Sequence, residues 1–184
     1  MANKIKYGIR NVYYAVATTG TGGALTYATP VAIPGAVNLS LSAEGDTTPF
    51  YADDVIYWQG TANNGYSGSL EIALIPESFK TDVLLETVGT NGVYVEKSNV
   101  TPKEFALLFE FQGDDKATRH AMFRCTCSRP DVAGATKEAS IEPQTETLNI
   151  TAMPRINDYV VKASCPQEAT TAYTSWYSAV ITVS

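Results

Sequence analysis

The chain has 184 residues, of which 45% are hydrophobic and 17% charged, and its formal net charge is -6. This length suits one domain, residues 1–184, and the low charged content excludes a disordered chain. The acidic balance excludes the basic footprint of a nucleic-acid-binding protein. No run approaches the ~18 apolar residues of a transmembrane helix and no secretory signal is visible, so we expect no membrane insertion.

Strand patterns dominate the first part of the chain. Lys6–Ala17 is rich in Tyr and Val, which favour strands. Val37–Leu41 and Leu70–Leu74 carry an apolar residue at every second position, the period of a strand with one buried face. The glycine-rich segment Thr19–Gly23 lacks the spacing of a phosphate-binding loop, so we interpret it as a turn.

The insert between the two alternating strands, about residues 46–69, is the most informative segment. Adjacent antiparallel strands are usually joined by ~2–5 residues, and this insert is far longer, aromatic and acidic. We predict an extended arm that contacts a neighbouring subunit, because leaving so many aromatic side chains exposed to water is unfavourable. The candidate contact residues are Phe50, Tyr51, Asp53, Asp54, Tyr57, Trp58 and Tyr66.

One short α-helix is predicted over about residues 76–88. Pro76 and Glu77 suit a first helical turn, and Phe79 and Val83, four residues apart, share a face. Gly89 or Gly92 would end the helix. Because it is short and solitary, we expect it to plug one edge or open end of a sheet.

A second hairpin follows the helix. Lys103–Gln112 and Ala117–Ser128 are predicted strands, joined by a turn at Gly113–Lys116. We expect one apolar face on each strand. These faces are Phe105, Leu107, Phe109 and Phe111 on the first strand, and Ala121, Phe123, Cys125 and Cys127 on the second.

In the last part of the chain, the sequence pattern predicts fewer regular elements. Arg129–Gln144 is polar with two prolines, so we expect a loop or a second arm. Thr145–Ala152 alternates as a strand, and Asp158–Ala163 and Ala172–Val183 are further candidate strands.

The histidine and cysteine content argues against catalytic and metal sites. His120 is the chain's single histidine, so Ser/His/Asp and histidine–metal clusters cannot be built in an ordinary way. We expect it to point away from Phe123. Cys125, Cys127 and Cys165 lack the spacing of a zinc site, and we expect free, packed thiols. We therefore predict no catalytic, cofactor or metal residues, and no enzyme.

The arm leaves two alternatives open. Asp53 and Asp54 could form the carboxylate pair of a glycosidase, but neighbours on an extended chain point in opposite directions. A solvated acidic arm is therefore favoured. Four aromatic residues could stack on sugars, as in a carbohydrate-binding β-sandwich of an adhesion module, or could anchor a subunit contact: Tyr51, Tyr57, Trp58 and Tyr66.

Six blocks of sequence, spread in order over nearly the whole chain, have a recognisable combination of residues: Pro30–Val37, Glu44–Asp53, Asn63–Gly68, Lys103–Phe111, Ala117–His120 and Ser140–Thr147. In these blocks the chain resembles the major tail proteins of long, non-contractile phage tails, from phages and prophages of Gram-positive bacteria. The resemblance implies a mainly β fold of the tail-tube type, a β-sandwich or barrel with one flanking helix and long arms.

The resemblance also implies an architectural function. Such subunits form hexameric rings that stack into a tail tube, whose lumen passes phage DNA without sequence preference. The implied partners are further copies of the chain and the tape-measure, distal tail and tail-terminator proteins. The implied location is the virion tail, assembled in the host bacterial cytoplasm. We expect an acidic lumen, because a wall that does not bind phosphate lets DNA slide.

Overall fold

The computed structural model describes residues 3–113, 115–136 and 142–182. Part of the polar segment 129–144 and the end of the predicted strand 172–183 lie outside these residues. The strands are β1 (Lys6–Thr19), β2 (Leu25–Tyr27), β3 (Val31–Ile33), β4 (Ala36–Glu44), β5 (Thr47–Ala52), β6 (Val55–Thr61), β7 (Gly65–Ile72), β8 (Thr87–Val88), β9 (Tyr94–Val95), β10 (Phe105–Gly113), β11 (Thr118–Cys127), β12 (Glu146–Ala152) and β13 (Lys162–Cys165). The helices are α1 (Glu77–Asp82), α2 (Thr170–Ser175) and a 3-10 turn at Thr21–Gly23.

The protein is mainly β, as predicted. A nine-stranded antiparallel sheet has the order β2–β1–β10–β11–β12–β7–β4, with β3 also paired to β1 and β13 to β11. Two pairs, β5–β6 and β8–β9, stand apart as small hairpins. Of the two alternating segments recognised in the sequence, Val37–Leu41 lies in β4 and the start of Leu70–Leu74 lies in β7, which are direct neighbours, whereas Ala73 and Leu74 follow β7.

The large sheet curls around one core. Val12 of β1 and Leu70 of β7, from distant places in the strand order, are buried in the same cluster as Phe105 of β10. Cα atoms of β1 and β4 approach within 8 Å. Side chains on the inner face therefore meet across the curl, as in an open barrel.

Helix α1 packs against this inner core. Phe79 is fully buried, and its ring meets Tyr14 and Phe105 edge to face, with centroids 5.0 and 5.5 Å away. The Tyr14 hydroxyl donates to Asp82 Oδ2 at 2.9 Å, which ties β1 to the helix. The predicted short helix is thus found, packed on the inner core, but it is not solitary because α2 is a second helix.

The helix is shorter than the predicted 76–88. Lys103 N–H donates to the Val83 carbonyl at 2.8 Å, and Leu85 takes a φ of 60°, so the helical hydrogen bonds cannot continue. The chain then enters β8. Gly89 and Gly92 form the turn of the β8–β9 hairpin, where Gly92 N–H donates to the Gly89 carbonyl at 2.9 Å.

The β10–β11 hairpin confirms the predicted strands, but the predicted single face of the return strand is wrong. Phe105 pairs with Cys125, whereas Leu107 pairs with Met122, so a β-bulge shifts the register between them. An extra residue reverses the alternation of side chains. Cys125 therefore faces the inner core, while Phe123 faces the opposite side of the sheet.

The outer face of the sheet is covered by α2 and the residues after it. Trp176 is 1% exposed and packs with Phe123, and its indole N–H donates to the His120 carbonyl at 3.3 Å. The predicted strand 172–183 is therefore wrong, because the described residues 172–182 form the end of α2, a turn and irregular chain. A helical turn brings Tyr173 and Trp176, three residues apart, onto the same apolar surface.

The strand predicted over 158–163 begins later, at Lys162. Arg155 pairs with Asp158 through two hydrogen bonds, and Tyr159 N–H donates to the Arg155 carbonyl at 3.0 Å. This local turn occupies the residues that the sequence suggested as extended. The predicted strand 145–152 is confirmed as β12.

Candidate functional site

The predicted arm is a β-hairpin, β5–β6, that continues the β4–β7 ladder beyond the sheet. The last β4–β7 pair is Glu44 with Gly65. Asn64 N–H then donates to the Glu44 carbonyl at 2.8 Å, and Ala62 N–H donates to the Asp46 carbonyl at 3.0 Å. The hairpin pairing begins directly afterwards, so the ladder connects the hairpin to the sheet.

The arm is shorter than the predicted 46–69, and Tyr66 does not belong to it. Tyr66 pairs with Ala152 of β12 and Ala43 of β4 inside the large sheet. Its ring is half-buried, and Lys162 Nζ lies 4.6 Å from the ring centroid. The residues from Gly65 onward alternate as part of a paired strand, so they cannot extend away with the hairpin.

Asp53 and Asp54 form the tip of the hairpin. They lie between the paired residues Ala52 and Val55, and their φ angles are 52° and 60°. Positive φ at both central residues is typical of a type I′ turn, where Asp is tolerated. The extended-chain geometry assumed in the sequence argument is therefore wrong here. Both residues are exposed, which places negative charge at the outermost point of the hairpin.

The aromatic residues of the hairpin lie in the open. Phe50 and Trp58 form one cross-strand pair, and Tyr51 and Ile56 form the next, with a bulge between the two pairs. Each of the hairpin's large hydrophobic side chains is more than half exposed: Phe50, Tyr51, Val55, Ile56, Tyr57 and Trp58. Sequence reasoning missed Val55 and Ile56, although both adjoin the aromatic residues it selected.

The Trp58 ring lies against the backbone of Gly60. A β-carbon at Gly60 would collide with the ring, so the glycine provides the space for the indole. The edge of the indole formed by Cζ2, Cη2 and Cζ3 thereby lies next to its own strand. The side chain as a whole remains 59% exposed.

The hairpin carries charge of one sign. No Lys, Arg or His lies between Arg10 and Lys80 in the sequence, whereas Asp46, Asp53 and Asp54 lie at the base and tip of the hairpin. No basic residue of the hairpin can therefore neutralise its carboxylates. A partner surface would have to provide the compensating cations.

An isolated two-stranded hairpin is marginally stable in water, and open strand edges invite pairing. The β5 and β6 strands pair only with each other among the described residues. Burying one large hydrophobic side chain contributes about 1.5–3 kcal/mol, so covering several would stabilise the hairpin strongly. The arrangement is that of a contact surface with its apolar groups displayed.

A second, smaller hairpin also displays apolar side chains. The exposed residues of β8–β9 and its turn are Val88, Val93, Tyr94 and Val95. The Tyr94 hydroxyl donates to Glu77 Oε2 at 2.8 Å, which connects this hairpin to α1. Sequence reasoning placed part of this region in the helix, although the run from Val93 to Val95 is typical of a strand.

Glu110 is a buried carboxylate with a structural role. It accepts hydrogen bonds from Arg10 Nε (2.6 Å), Asn11 Nδ2 (2.9 Å), Arg119 Nε (3.1 Å) and the Tyr177 hydroxyl (3.2 Å). Burial alone would raise its pKa, but the hydrogen bonds from the two arginines outweigh burial and lower the pKa. Four donors occupy the acceptor sites of the carboxylate, which leaves it poorly suited to take a substrate proton.

His120 lies on the inner side of the sheet, away from Phe123 as predicted. Its ring stacks on Phe109, with centroids 5.3 Å apart and an interplanar angle of 18°, and meets Phe111 at 5.4 Å. Burial lowers its pKa, and the nearby Lys6 and Lys162 lower it further. The imidazole is thus held among aromatic rings and positive charges.

The three cysteines are free and buried, as predicted. Burial raises the pKa of Cys127 to about 12, so its thiolate is disfavoured at neutral pH. Within the described ranges, no cluster of three or more His, Cys, Asp or Glu residues is placed to hold a metal ion. No helix in the same ranges is both long and apolar enough to cross a bilayer.

Comparison with known proteins assigns no family to this chain. No protein-family model matches it, and no curated protein matches it significantly. The resemblance to phage major tail proteins therefore enters below as part of a proposal.

Proposed function

We propose that this protein is a structural subunit of a phage or prophage tail tube. Copies of the chain would form hexameric rings, and the rings would stack into a conduit for DNA in the virion tail. The observation that carries the proposal is the β5–β6 hairpin, which displays apolar side chains beyond the sheet. The hairpin contains most of the block Glu44–Asp53 that resembles the major tail proteins.

An open sheet edge supports assembly of like subunits. Among the described residues, β4 pairs with β7 on one side and with no strand on the other. Such an edge can pair with a neighbouring copy. Contacts between unlike surfaces of identical subunits close into rings or continue as filaments, and a stacked-ring tube uses both kinds.

The charge of the chain agrees with a passive conduit. A net charge of -6 gives no general affinity for DNA phosphate, which a channel wall should not retain. The proposal assigns covalent chemistry to no residue. Tape-measure, distal tail and tail-terminator proteins remain the partners that the resemblance implies.

Assembly is the direct test of the proposal. The purified full chain is imaged by negative-stain electron microscopy over a concentration series, with light scattering recorded in parallel. Rings or hollow tubes above a critical concentration are the expected result. A chain that stays monomeric at every concentration and ionic strength contradicts the proposal.

A carbohydrate-binding module is the second candidate, and the Trp58 ring favours it. The Trp58 ring lies beside Gly60, and Trp58 and its neighbour Tyr57 are 59% and 73% exposed. Aromatic faces of this kind stack on sugars. Against it, no third strand of the described residues pairs with the hairpin to hold a platform rigid. Glycan binding by the monomer, lost in Trp58→Ala, would support this alternative.

A further inference from the structure

A basic and aromatic groove opens on the inner side of the curled sheet, close to the start of β1. Phe111 and His120 line both of its two depressions, which have volumes of about 230 and 320 Å³. Lys6 also lines both depressions, and Lys162 lines the smaller one. Among the described residues, no Asp or Glu lines either depression, and Lys6 and Lys162 give this surface positive charge above an aromatic floor.

The two lysines hold their charges over aromatic rings rather than in ion pairs. Lys6 Nζ lies 4.9 Å from the centroid of Phe111, and Lys162 Nζ lies 4.6 Å from that of Tyr66. No carboxylate of the described residues lies within 4 Å of either ammonium group. Both side chains are exposed, so both charges are available to a partner.

The β5–β6 tip has the complementary chemistry. Asp53 and Asp54 occupy a narrow two-residue turn, and Tyr51 and Ile56 form the second cross-strand pair behind it. The tip thus presents carboxylates first and apolar groups directly behind them. The groove presents ammonium groups at its rim and aromatic rings at its floor, in the matching order.

The tip cannot reach the groove of its own chain without losing backbone hydrogen bonds. Tyr66, at the edge of the groove, comes directly after Gly65, where the ladder leaves the large sheet. Beyond that point the hydrogen bonds of Asn64 and Ala62 extend the ladder away into the hairpin. The occupant of the groove must therefore come from another molecule.

We propose that the groove receives the acidic tip of the β5–β6 hairpin from a second copy of this chain. Lys6 and Lys162 pair with Asp53 and Asp54, and the aromatic floor packs against the apolar residues behind the tip. This inference rests on the proposed self-assembly and names the surface that receives the hairpin. When two copies join, one copy still has a free tip and the other a free groove. Further copies can therefore add at both ends.

Charge exchange tests the pairing directly. The first variant is Lys6→Glu with Lys162→Glu, and the second is Asp53→Lys with Asp54→Gly, where glycine keeps the positive φ of the turn. The third variant combines all four substitutions. Asp53→Asn with Asp54→Gly is the matched control, because it removes the tip charges and retains a favoured type I′ turn sequence.

The critical concentration for assembly is measured for each full-length variant by light scattering, with electron microscopy of the products. The first and second variants are each expected to raise the critical concentration about tenfold or more. The combined variant is expected to bring it back close to the wild-type value. The critical concentration of the control should lie between that of wild type and that of the variant with the charge-reversed tip. Near-ultraviolet circular dichroism and thermal unfolding should match wild type, since the altered side chains are exposed.

The outcomes separate this inference from the proposed function. If wild type forms tubes and the charge-reversed variants assemble equally well, the groove is not the receiving site but the tube proposal stands. A combined variant no better than the first two also overturns the pairing. A wild type that never assembles overturns both proposals. Binding of a labelled DNA duplex that is lost in the lysine variant, with assembly unchanged, would assign the groove to nucleic acid instead.

Discussion

Phe50 and Trp58 stand directly opposite each other across the β5–β6 hairpin, and the two side chains are 58% and 59% exposed. Cross-strand aromatic pairs stabilise a hairpin by about 0.2–1 kcal/mol, far less than their burial would. Most of the free energy that burying these two side chains would contribute is therefore not realised in the monomer. A partner that covers the pair would therefore stabilise both the hairpin and the assembly.

Trp58→Ala is expected to weaken assembly strongly and to leave the monomer folded. Aromatic anchors at interfaces can exceed ~2 kcal/mol, which corresponds to about a 30-fold rise in critical concentration. Light scattering against concentration measures the change. Tyr159→Asn is the matched control, because Tyr159 is 80% exposed, has a positive φ that Asn tolerates, and lies outside the hairpin. An unchanged critical concentration in Trp58→Ala would count against the hairpin.

Removing the hairpin should separate folding from assembly. Residues 47–61 can be replaced by Asn-Gly, because Asp46 and Ala62 are already joined by a ladder hydrogen bond. No hairpin residue belongs to either core cluster, so thermal unfolding should remain close to wild type. Electron microscopy should show no rings or tubes. Tubes formed by this variant would exclude the hairpin as the assembly contact.

Glu110→Gln is expected to destabilise the monomer at pH 7 by about 2–3 kcal/mol, because it removes a buried charge hydrogen-bonded to two arginines. The folded-state pKa of Glu110 lies below its ordinary value of 4.5. Its ionisation therefore stabilises the fold above that value, and the contribution is lost as pH falls through the lower folded pKa.

Urea unfolding at pH 7 and pH 3 measures this linkage. The difference in unfolding free energy between wild type and Glu110→Gln should shrink at pH 3, because this pH lies below the ordinary pKa of 4.5 and the carboxyl of the unfolded wild type is then protonated. Tyr177→Phe is a milder control, since it removes one neutral donor to the carboxylate and keeps the charge. A difference that is equal at both pH values would contradict the assigned pKa direction.

His120 should titrate below its ordinary pKa of 6.5 because of burial first and the two lysines second. A nuclear magnetic resonance titration of the monomer measures this pKa. Lys6→Met with Lys162→Met should raise it while leaving the burial contribution. Since the folded pKa is depressed, stability linked to His120 is complete above pH ~6.5 and falls as the imidazole protonates. A pKa at or above 6.5 in wild type would refute the placement of the ring.

Local sequence patterns predicted several strands of the large sheet. The alternation in Val37–Leu41 and Leu70–Leu74 located β4 and β7, and the Gly113–Lys116 turn located the β10–β11 hairpin. Strands β4 and β7 were located because burial on one face leaves a period of two in the residues themselves. The predicted burial fails at Val37, which lies at a register shift, and at Leu74, which lies beyond β7, since both are exposed. The aromatic insert was also recognised from composition, with six of its seven candidate residues in the hairpin.

Other features depended on contacts between distant parts of the chain. The bulge beside Phe105 reversed the expected face of Phe123, and packing onto the outer face made Tyr173 and Trp176 helical neighbours. Propensity and periodicity do not include these contacts, so tertiary packing overrode them.

By itself, the sequence determined the mainly β class, the free thiols and an acidic, aromatic segment too long for an ordinary turn. Only the tertiary structure decided that this segment is a hairpin with its side chains open to solvent. Only the structure brought Lys6, His120 and Lys162 to one groove, because β1, β11 and β13 lie far apart in sequence and are joined by strand pairing, β1 to β10, β10 to β11 and β11 to β13. Composition reveals which groups a chain has, whereas long-range strand pairing decides which of them meet.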